Sequence, residues 1–551
     1  MPHHFIIFAL IAIIGVALVK VFSNINARRK RIEAIKAAYG RFPVVDEYIQ
    51  MESISRYARL YETNNPSQKR VDPITWNDLD MDKVFNRINA CQTSVGEEYL
   101  YHCLHQLPLN GQALKTREGL IQFFANNPDT RLEVQILLAS NMGKENYNGL
   151  TSLMHIPNIN LLKYRHLFTA LGILPMLLPL IMLVNVPIGA ISLVASYVIN
   201  MMVHFRNKHR VAIDGHNSIK YLTSMLRCCK RLIKMKSLQA QPVMGEIKKY
   251  HKTLKSIKRN VPATTSIAGD FADTMFEYIN IMFLYDIRKY NNFMTTVKKH
   301  SQEFHALYRA FGEVDMSICI ASFRQSLPEY ALPEFTTETR MEFTDIYHPL
   351  IPSPIANSCD ISKNSVITGS NASGKSTFIK ALAINSILAQ TINTCAAKAF
   401  TARFSLVVSS MVMRDDLTAG DSYFIVEIKS LKRILDLVQE YPCTCFIDEI
   451  LRGTNTIERI AASAAVLEYL SGQNALCVAA SHDIELTRIL EGKYDNYHFR
   501  EQVTDDGVVF DYKINNGPST TRNAIKLLGF MGFTGSIIER AENLAEDLAN
   551  I

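Results

Sequence analysis

The sequence predicts a multidomain chain in which an α-helical region is joined to an α/β phosphate-loop domain and carries transmembrane helices. Three observations lead there. The chain has 551 residues, too many for one domain at about 100–200 residues each. A glycine-rich loop near residue 370 lies between a strand pattern and a helix pattern. Two apolar stretches lack charge over lengths that suit a bilayer.

Composition narrows the class. Hydrophobic residues make up 48% and charged residues 20%, which excludes disorder as the main state and permits a large core. With Gly 24 and Pro 19 the chain is neither collagenous nor of low complexity. The ten cysteines are scattered without a zinc-type CxxC pair. Cys228–Cys229 and Cys443-x-Cys445 read as reduced, buried thiols, which fits a reducing compartment.

The first apolar stretch, Phe5 to Val19, precedes Arg28-Arg29-Lys30-Arg31. A signal peptide has its basic residues before the apolar run and a small-residue cleavage site after it. The reversed order predicts an anchor over 1–25 with its C-terminal side in the cytoplasm, followed by a basic juxtamembrane linker over 26–72.

The second stretch, Leu167 to Val203, runs 37 residues without a charge. A single straight helix of that length would reach about 55 Å, well beyond a hydrocarbon core of about 30 Å. Asn185-Val186-Pro187 divides it, predicting a transmembrane hairpin over 161–206 with spans at about 167–184 and 187–204. Lys163 and Arg165 before it, and Arg206, Lys208 and Arg210 after it, are the basic flanks of a hairpin entering from the cytoplasm. The expectation is a multi-pass membrane protein with three spans, an outside N-terminus and cytoplasmic soluble domains.

Net charge is +7, unevenly spread. Arg206 to Arg259 carries fifteen Lys/Arg against Asp214 and Glu246, or +13. Part of this is the positive-inside signature and contact with anionic membrane lipids. Lys220 to Arg259 begins well beyond the membrane, where DNA phosphates, lipid headgroups and a plain solvated face all remain open readings.

Ser365 to Thr368 reads as a strand, and Thr377 to Gln390 has helical apolar spacing. Between them Gly369-Ser370-Asn371-Ala372-Ser373-Gly374-Lys375-Ser376 satisfies GxxxxGK[ST] in full. Glycines let backbone N–H groups approach phosphates, Lys375 neutralises them, and the Ser376 hydroxyl ligates Mg²⁺. The apolar strand Cys443 to Ile447 ends in Asp448-Glu449, placing one acid for the metal and a second to orient water. Ala475 to Ala480 is another strand, after which Ser481-His482 places an imidazole within reach of a γ-phosphate.

Together these motifs resemble the ATPase domain of the MutS family, a branch of the ABC-type ATPases. Thr368 to Thr377 resembles TGPNxGGKST, and Asp415 to Glu427, with Gly420 and Ser422, resembles DDxxxGxSxFxxE. Asp448 to Thr456 resembles DEIGRGTST, and Ser481-His482 the family's TH switch. Gly517-Pro-Ser519 and Ala524 to Phe530 resemble the segment before its last helix. Upstream, Leu79 to Pro108, with Thr93-Ser94-Val95-Gly96, and Glu313-Val314-Asp315 resemble the helical core and lever. That gives a first core part over 73–160, a second helical part over 207–340 and the ATPase over 341–551.

The resemblance implies ATP and Mg²⁺ as cofactors, held by residues 369–377, with Asp448 completing the metal shell. It implies Lys375, Glu449 and His482 as catalytic residues. Gly420 and Ser422 would act in trans across a homodimer. The family's adenine-stacking Phe is matched by Ile355, and Leu451 stands where the family has glycine. Residues 1–72 leave no room for the family's mismatch-reading and connector domains and contain no Phe-x-Glu wedge.

The expected function is a membrane-anchored MutS-like ATPase that moves helical levers and acts on DNA. Mismatch binding and mismatch repair are implied by the family name alone. The alternative is a DNA-independent membrane machine or an ABC-transporter-like protein. The transporter form needs an LSGGQ segment before the acidic strand, whereas Leu470-Ser471-Gly472-Gln473 follows it.

Overall fold

The computed structural model describes residues 2–43, 51–144, 165–255, 270–370, 373–411, 423–452, 454–504, 507–519, 525 and 532–549. Helices come first: α1 (Pro2–Ala38), α2 (Met51–Asn64), α3 (Pro73–Asp78), α4 (Met81–Ile88), α5 (Ser94–His105), α6 (Gln112–Asn126) and α7 (Pro128–Asn141). Next are α8 (Arg165–Leu177), α9 (Pro179–Met182), α10 (Val186–Leu232), α11 (Pro242–Leu254), α12 (Asp270–Phe283), α13 (Tyr285–Lys299) and α14 (Ser301–Ser326).

The α/β half follows with β1 (Glu334–Thr336), β2 (Met341–Ile346), β3 (Asn357–Ile361), β4 (Ser365–Thr368) and α15 (Lys375–Ile392). It continues through β5 (Ala399–Arg403), β6 (Leu406–Ser410), α16 (Tyr423–Glu440), β7 (Cys443–Asp448), α17 (Thr456–Ser471) and β8 (Ala475–Ser481). The last elements are α18 (Glu485–Ile489), β9 (Asp495–Thr504), β10 (Gly507–Asn516) and α19 (Gly535–Ala549).

Local chemistry sets several of these boundaries. Asp72 caps α3 by accepting from the backbone N–H groups of Ile74 at 2.9 Å and Thr75 at 3.1 Å, with Pro73 at the first helical position. Asn185 caps α10 through Ile188 N at 3.2 Å, so the Asn-Val-Pro signal does divide the apolar stretch. The second arm does not stop at 206. It continues as one helix of 47 residues, about 70 Å long, into the basic region.

Among the described residues one segment, Val186–Asn207, is long and apolar enough to cross a membrane, and His166–Met182 is a shorter apolar helix. The apolar stretch 5–19 lies within α1. Segment 51–72, expected as linker, packs into the helical core: Ile54, Tyr57, Ala58 and Val71 are buried. Tyr57 lies against Tyr308 of α14 with ring centroids 4.7 Å apart.

Two sheets form the α/β half. One is four-stranded, in the order β1-β5-β2-β3. The other has the order β10-β9-β4-β8-β7-β6, parallel from β9 to β6 and closed at one edge by the antiparallel β9–β10 hairpin. Strands β4, β7 and β8 are buried along their whole length, which explains their near-continuous apolar runs. One contiguous hydrophobic core joins the helical half to this sheet. A separate small cluster of Phe168, Leu284 and Ile287 holds the hairpin against α13.

Polar ties reinforce the junction of the two halves. Arg324 of α14 grips Glu118 of α6 through two bonds of 2.8 and 2.7 Å and donates to Thr394 Oγ1 at 2.9 Å, just beyond α15. Asp78 of α3 accepts from Ser409 Oγ at 2.7 Å and Met411 N at 3.0 Å at the end of β6.

Candidate nucleotide-binding site

Parallel pairing brings the motifs together. Thr368 is in register with Ser481, and Asp448 with Ala480, so the loop after β4, the acids after β7 and His482 after β8 share one sheet edge. Ligands of open α/β sheets bind at this carboxyl end.

The glycine loop wraps tightly here. Gly369 has φ +141° and Gly374 φ +97°, and a Cβ on Gly369 would meet Phe499 O at 2.6 Å. Ser370 Oγ donates to Glu501 at 2.8 Å, while Ser373 N and Oγ return to Ser370 O at 3.2 and 2.7 Å. Lys375 opens α15, is buried, and donates Nζ to Gly369 O and, at 2.9 Å, to Ser370 O. Burial lowers its pKa to about 8 against the opposing pull of Asp448. Ser376 is half-buried and Thr377 exposed. Asn371 and Ala372 lie outside the described residues, as do Gly420 and Ser422.

Asp448 is 5% exposed, and its Oδ1 has no hydrogen-bond partner among the described residues. A buried carboxylate oxygen in that condition fits a hard cation, so Asp448 and the Ser376 hydroxyl would hold Mg²⁺ together with phosphate oxygens. Bound there, the ion would offset phosphate charge.

Glu449 faces one imidazole and one guanidinium. His482 Nε2 lies 2.6 Å from Oε1, and Arg452 pairs with Oε2. Burial, with Lys375 and Arg452 nearby, lowers the His482 pKa, so the imidazole is neutral at pH 7 and able to act as hydrogen-bond donor or acceptor. The loop carrying Glu449 is bent: Glu449 has φ +57° and Leu451 φ +56°. Glycine takes that conformation without steric cost, which accounts for the resemblance placing one at position 451. Glu427 of α16 accepts from Leu451 N and holds this turn, and burial raises its carboxyl pKa.

A cavity of about 350 Å³ adjoins the loop, lined among others by His348, Ile355, Gly374, Thr377, Phe378 and Tyr512. Ile355 is 45% exposed there. The sequence reading missed Tyr512, which supplies the aromatic face that Ile355 lacks. It sits at a bulge in β10, where the register shifts between Phe510 and Ile514, and it has φ +52°. Asn357 pins the bulge, donating to Tyr512 O at 3.0 Å and accepting from Ile514 N at 2.9 Å. Glu501 was also missed, since no spacing marks its position, and Arg452, though within the Asp448–Thr456 motif, was given no role there.

The family model for MutS domain V matches residues 365–549. The chain is 32% identical over 233 residues to the DNA mismatch repair protein MutS of Pseudothermotoga lettingae, covering 40% of this chain and 28% of that protein. It is 31% identical over 241 residues to MutS protein homolog 4 of Homo sapiens, covering 40% and 25%. Against the DNA mismatch repair protein MutS of Bacillus subtilis it is 29% identical over 266 residues, covering 46% and 30%. The chain thus spans about three-tenths of the length of the curated relatives it matches. Residues 365–549 are thus a MutS-type domain V, and the similarity to MutS-family proteins extends over 40–46% of this chain.

Proposed function

We propose that the chain binds and hydrolyses ATP with Mg²⁺ and uses the cycle to move its helical half against DNA while the hairpin sits in a membrane. The observation that carries this reading is the convergence of Lys375, Asp448, Glu449 and His482 at one sheet edge, beside a cavity of nucleobase size. Lys375 and the loop N–H groups bind phosphate, and Glu449 accepts a proton from the attacking water. His482 and Arg452 hold the Glu449 carboxylate in place. Gly420 and Ser422 complete the site from a second copy, making a homodimer the working form.

The basic stretch favours DNA as the object. On α10 and the turn after it, Arg227, Lys230, Arg231 and Lys234 follow the i, i+3, i+4, i+7 spacing of one helix face, and all four are exposed. Tyr221, Leu222, Met225, Leu226, Cys229 and Leu232 pack the other side. The two relatives named as DNA mismatch repair proteins point the same way. Membrane attachment rests on the hairpin: Leu183 is 83% and Val184 90% exposed at its tip, with Ile191, Val194 and Met202 exposed along α10. The same surface supports the second reading, a membrane machine without DNA.

ATP turnover by the detergent-purified chain, with and without duplex DNA at two salt concentrations, tests the first reading. Salt-sensitive stimulation by DNA is expected. Turnover indifferent to DNA but responsive to anionic vesicles would establish the second instead, and equal turnover by Glu449→Gln would sink both.

A further inference from the structure

We propose that the cleft between α1, α7 and the C-terminal end of α10 is a phosphodiester-binding site that grips a nucleic-acid backbone; this rests on the DNA reading above. The cleft measures about 820 Å³ and is lined by Arg28, Arg231, Lys234 and Lys236, with Glu133 as its acid. Arg28 comes from α1, Glu133 from α7, and the other three from the end of α10 and the turn that follows it. Neighbouring Arg29 is paired with Glu33 at 3.1 Å, whereas none of the four lining cations forms an ion pair among the described residues. Four unneutralised cations around one concavity favour a ligand carrying several negative charges.

The setting extends beyond the cleft. Arg227 and Lys230 continue the charge up α10. The next helix, α11, packs on α10 and exposes Lys248, Lys249 and Lys252. A stripe of cations leading out of a cleft suits a polymer of phosphates better than a single phosphate group.

Position separates the site from the hairpin's bilayer. From Asn207, where the apolar segment ends, to Arg231 the helix rises about 36 Å, and still about 28 Å along the membrane normal at a 40° tilt. With a screening length of about 8 Å at physiological salt, that bilayer's charge is not felt in the cleft. A competing occupant is an anionic bilayer reached by α1, whose apolar stretch 5–19 ends about 13 Å before Arg28.

The test uses the full chain in detergent. Binding of a fluorescein-labelled duplex is followed by anisotropy across a salt series, for the wild type and for the combined Arg28→Gln, Arg231→Gln, Lys234→Gln and Lys236→Gln variant. The four side chains are exposed and lie away from the nucleotide site, so basal ATP turnover should be kept. The expected result is at least tenfold weaker binding and a slope of log K against log salt smaller by about 3 to 4, one unit per lost phosphate contact. If the wild type binds duplex and the variant matches its affinity and slope, the cleft is not the grip although the DNA reading stands. If the wild type binds no DNA, both fall. If the variant loses only its binding to phosphatidylserine vesicles, the cleft is a lipid site and the proposal is overturned.

Discussion

Asp315 on α14 accepts hydrogen bonds from Thr93, at 2.9 Å from its backbone N–H and 2.7 Å from its hydroxyl, across 222 residues of sequence. Gln92 N adds bonds of 3.0 and 3.1 Å to the same carboxylate. Thr93 Oγ1 in turn accepts from Gly96 N at 3.0 Å and caps α5. A Cβ on Gly96 would lie 2.3 Å from Asp315 Oδ2, so glycine is required by the approach of the two helices. Gly96→Ala should therefore destabilise the chain by about 1–3 kcal/mol, read as a lower denaturant midpoint.

The same carboxylate has a pH signature. Burial raises the Asp315 pKa to about 6, above the ordinary aspartate value of 3.8. A carboxyl group raised on folding favours the native state most when protonated. Its contribution is thus full below about 3.8, declines as pH rises to about 6, and is flat above that. Asp315→Asn should remove this component of the stability–pH curve between pH 4 and 6, as followed by thermal melts.

Glu449→Gln keeps the shape of the residue and removes its proton acceptor. ATP should still be retained, while phosphate release slows by about 10²-fold or more. Nucleotide retention and turnover measured on the same preparation separate this outcome from simple unfolding.

Lys375 titrates within reach of experiment. With its pKa lowered to about 8, the free site loses the ammonium charge as pH rises through that value. Phosphate binding favours the charged form, so ATP binding at pH 8.5 should take up protons and weaken as pH climbs further. Calorimetry in two buffers of different ionisation enthalpy would read the uptake directly.

Tyr512 presents its ring beside Gly374, where an added Cβ would lie 3.0 Å from Tyr512 Cδ1. A stacked aromatic contributes about 0.5–1.5 kcal/mol beyond its buried area. Tyr512→Ala should weaken ATP by up to about tenfold and leave tripolyphosphate affinity unchanged, as measured by competition.

Chemistry carried by contiguous residues was legible in the sequence. The loop from Gly369 to Ser376 and the acids at Asp448-Glu449 are written locally, because strand, turn and helix there are short-range structures. Contacts that depend on distant pairing were not. Tyr512 reaches the cavity because β10 bulges against Asn357, and α2 joins the core by packing Ile54, Tyr57 and Ala58 against distant helices, with Tyr57 on His102 of α5 and Tyr308 of α14. The continuity of α10 was hidden for another reason. Arg206 and its basic neighbours mark the end of an apolar stretch, yet basic residues have good helix propensity, so a change of polarity is not a change of backbone. Leu451 reads as a simple replacement of glycine in the sequence, and only its φ of +56° shows what that replacement asks of the backbone.

The unbroken run of α10 has a geometric result. A pivot of about 5° at its Leu232 end would sweep the Val186 end, some 70 Å away, through an arc of about 6 Å. An adjustment at the helical core too small to alter a hydrogen-bond pattern would thus displace the hairpin tip by more than one helical turn.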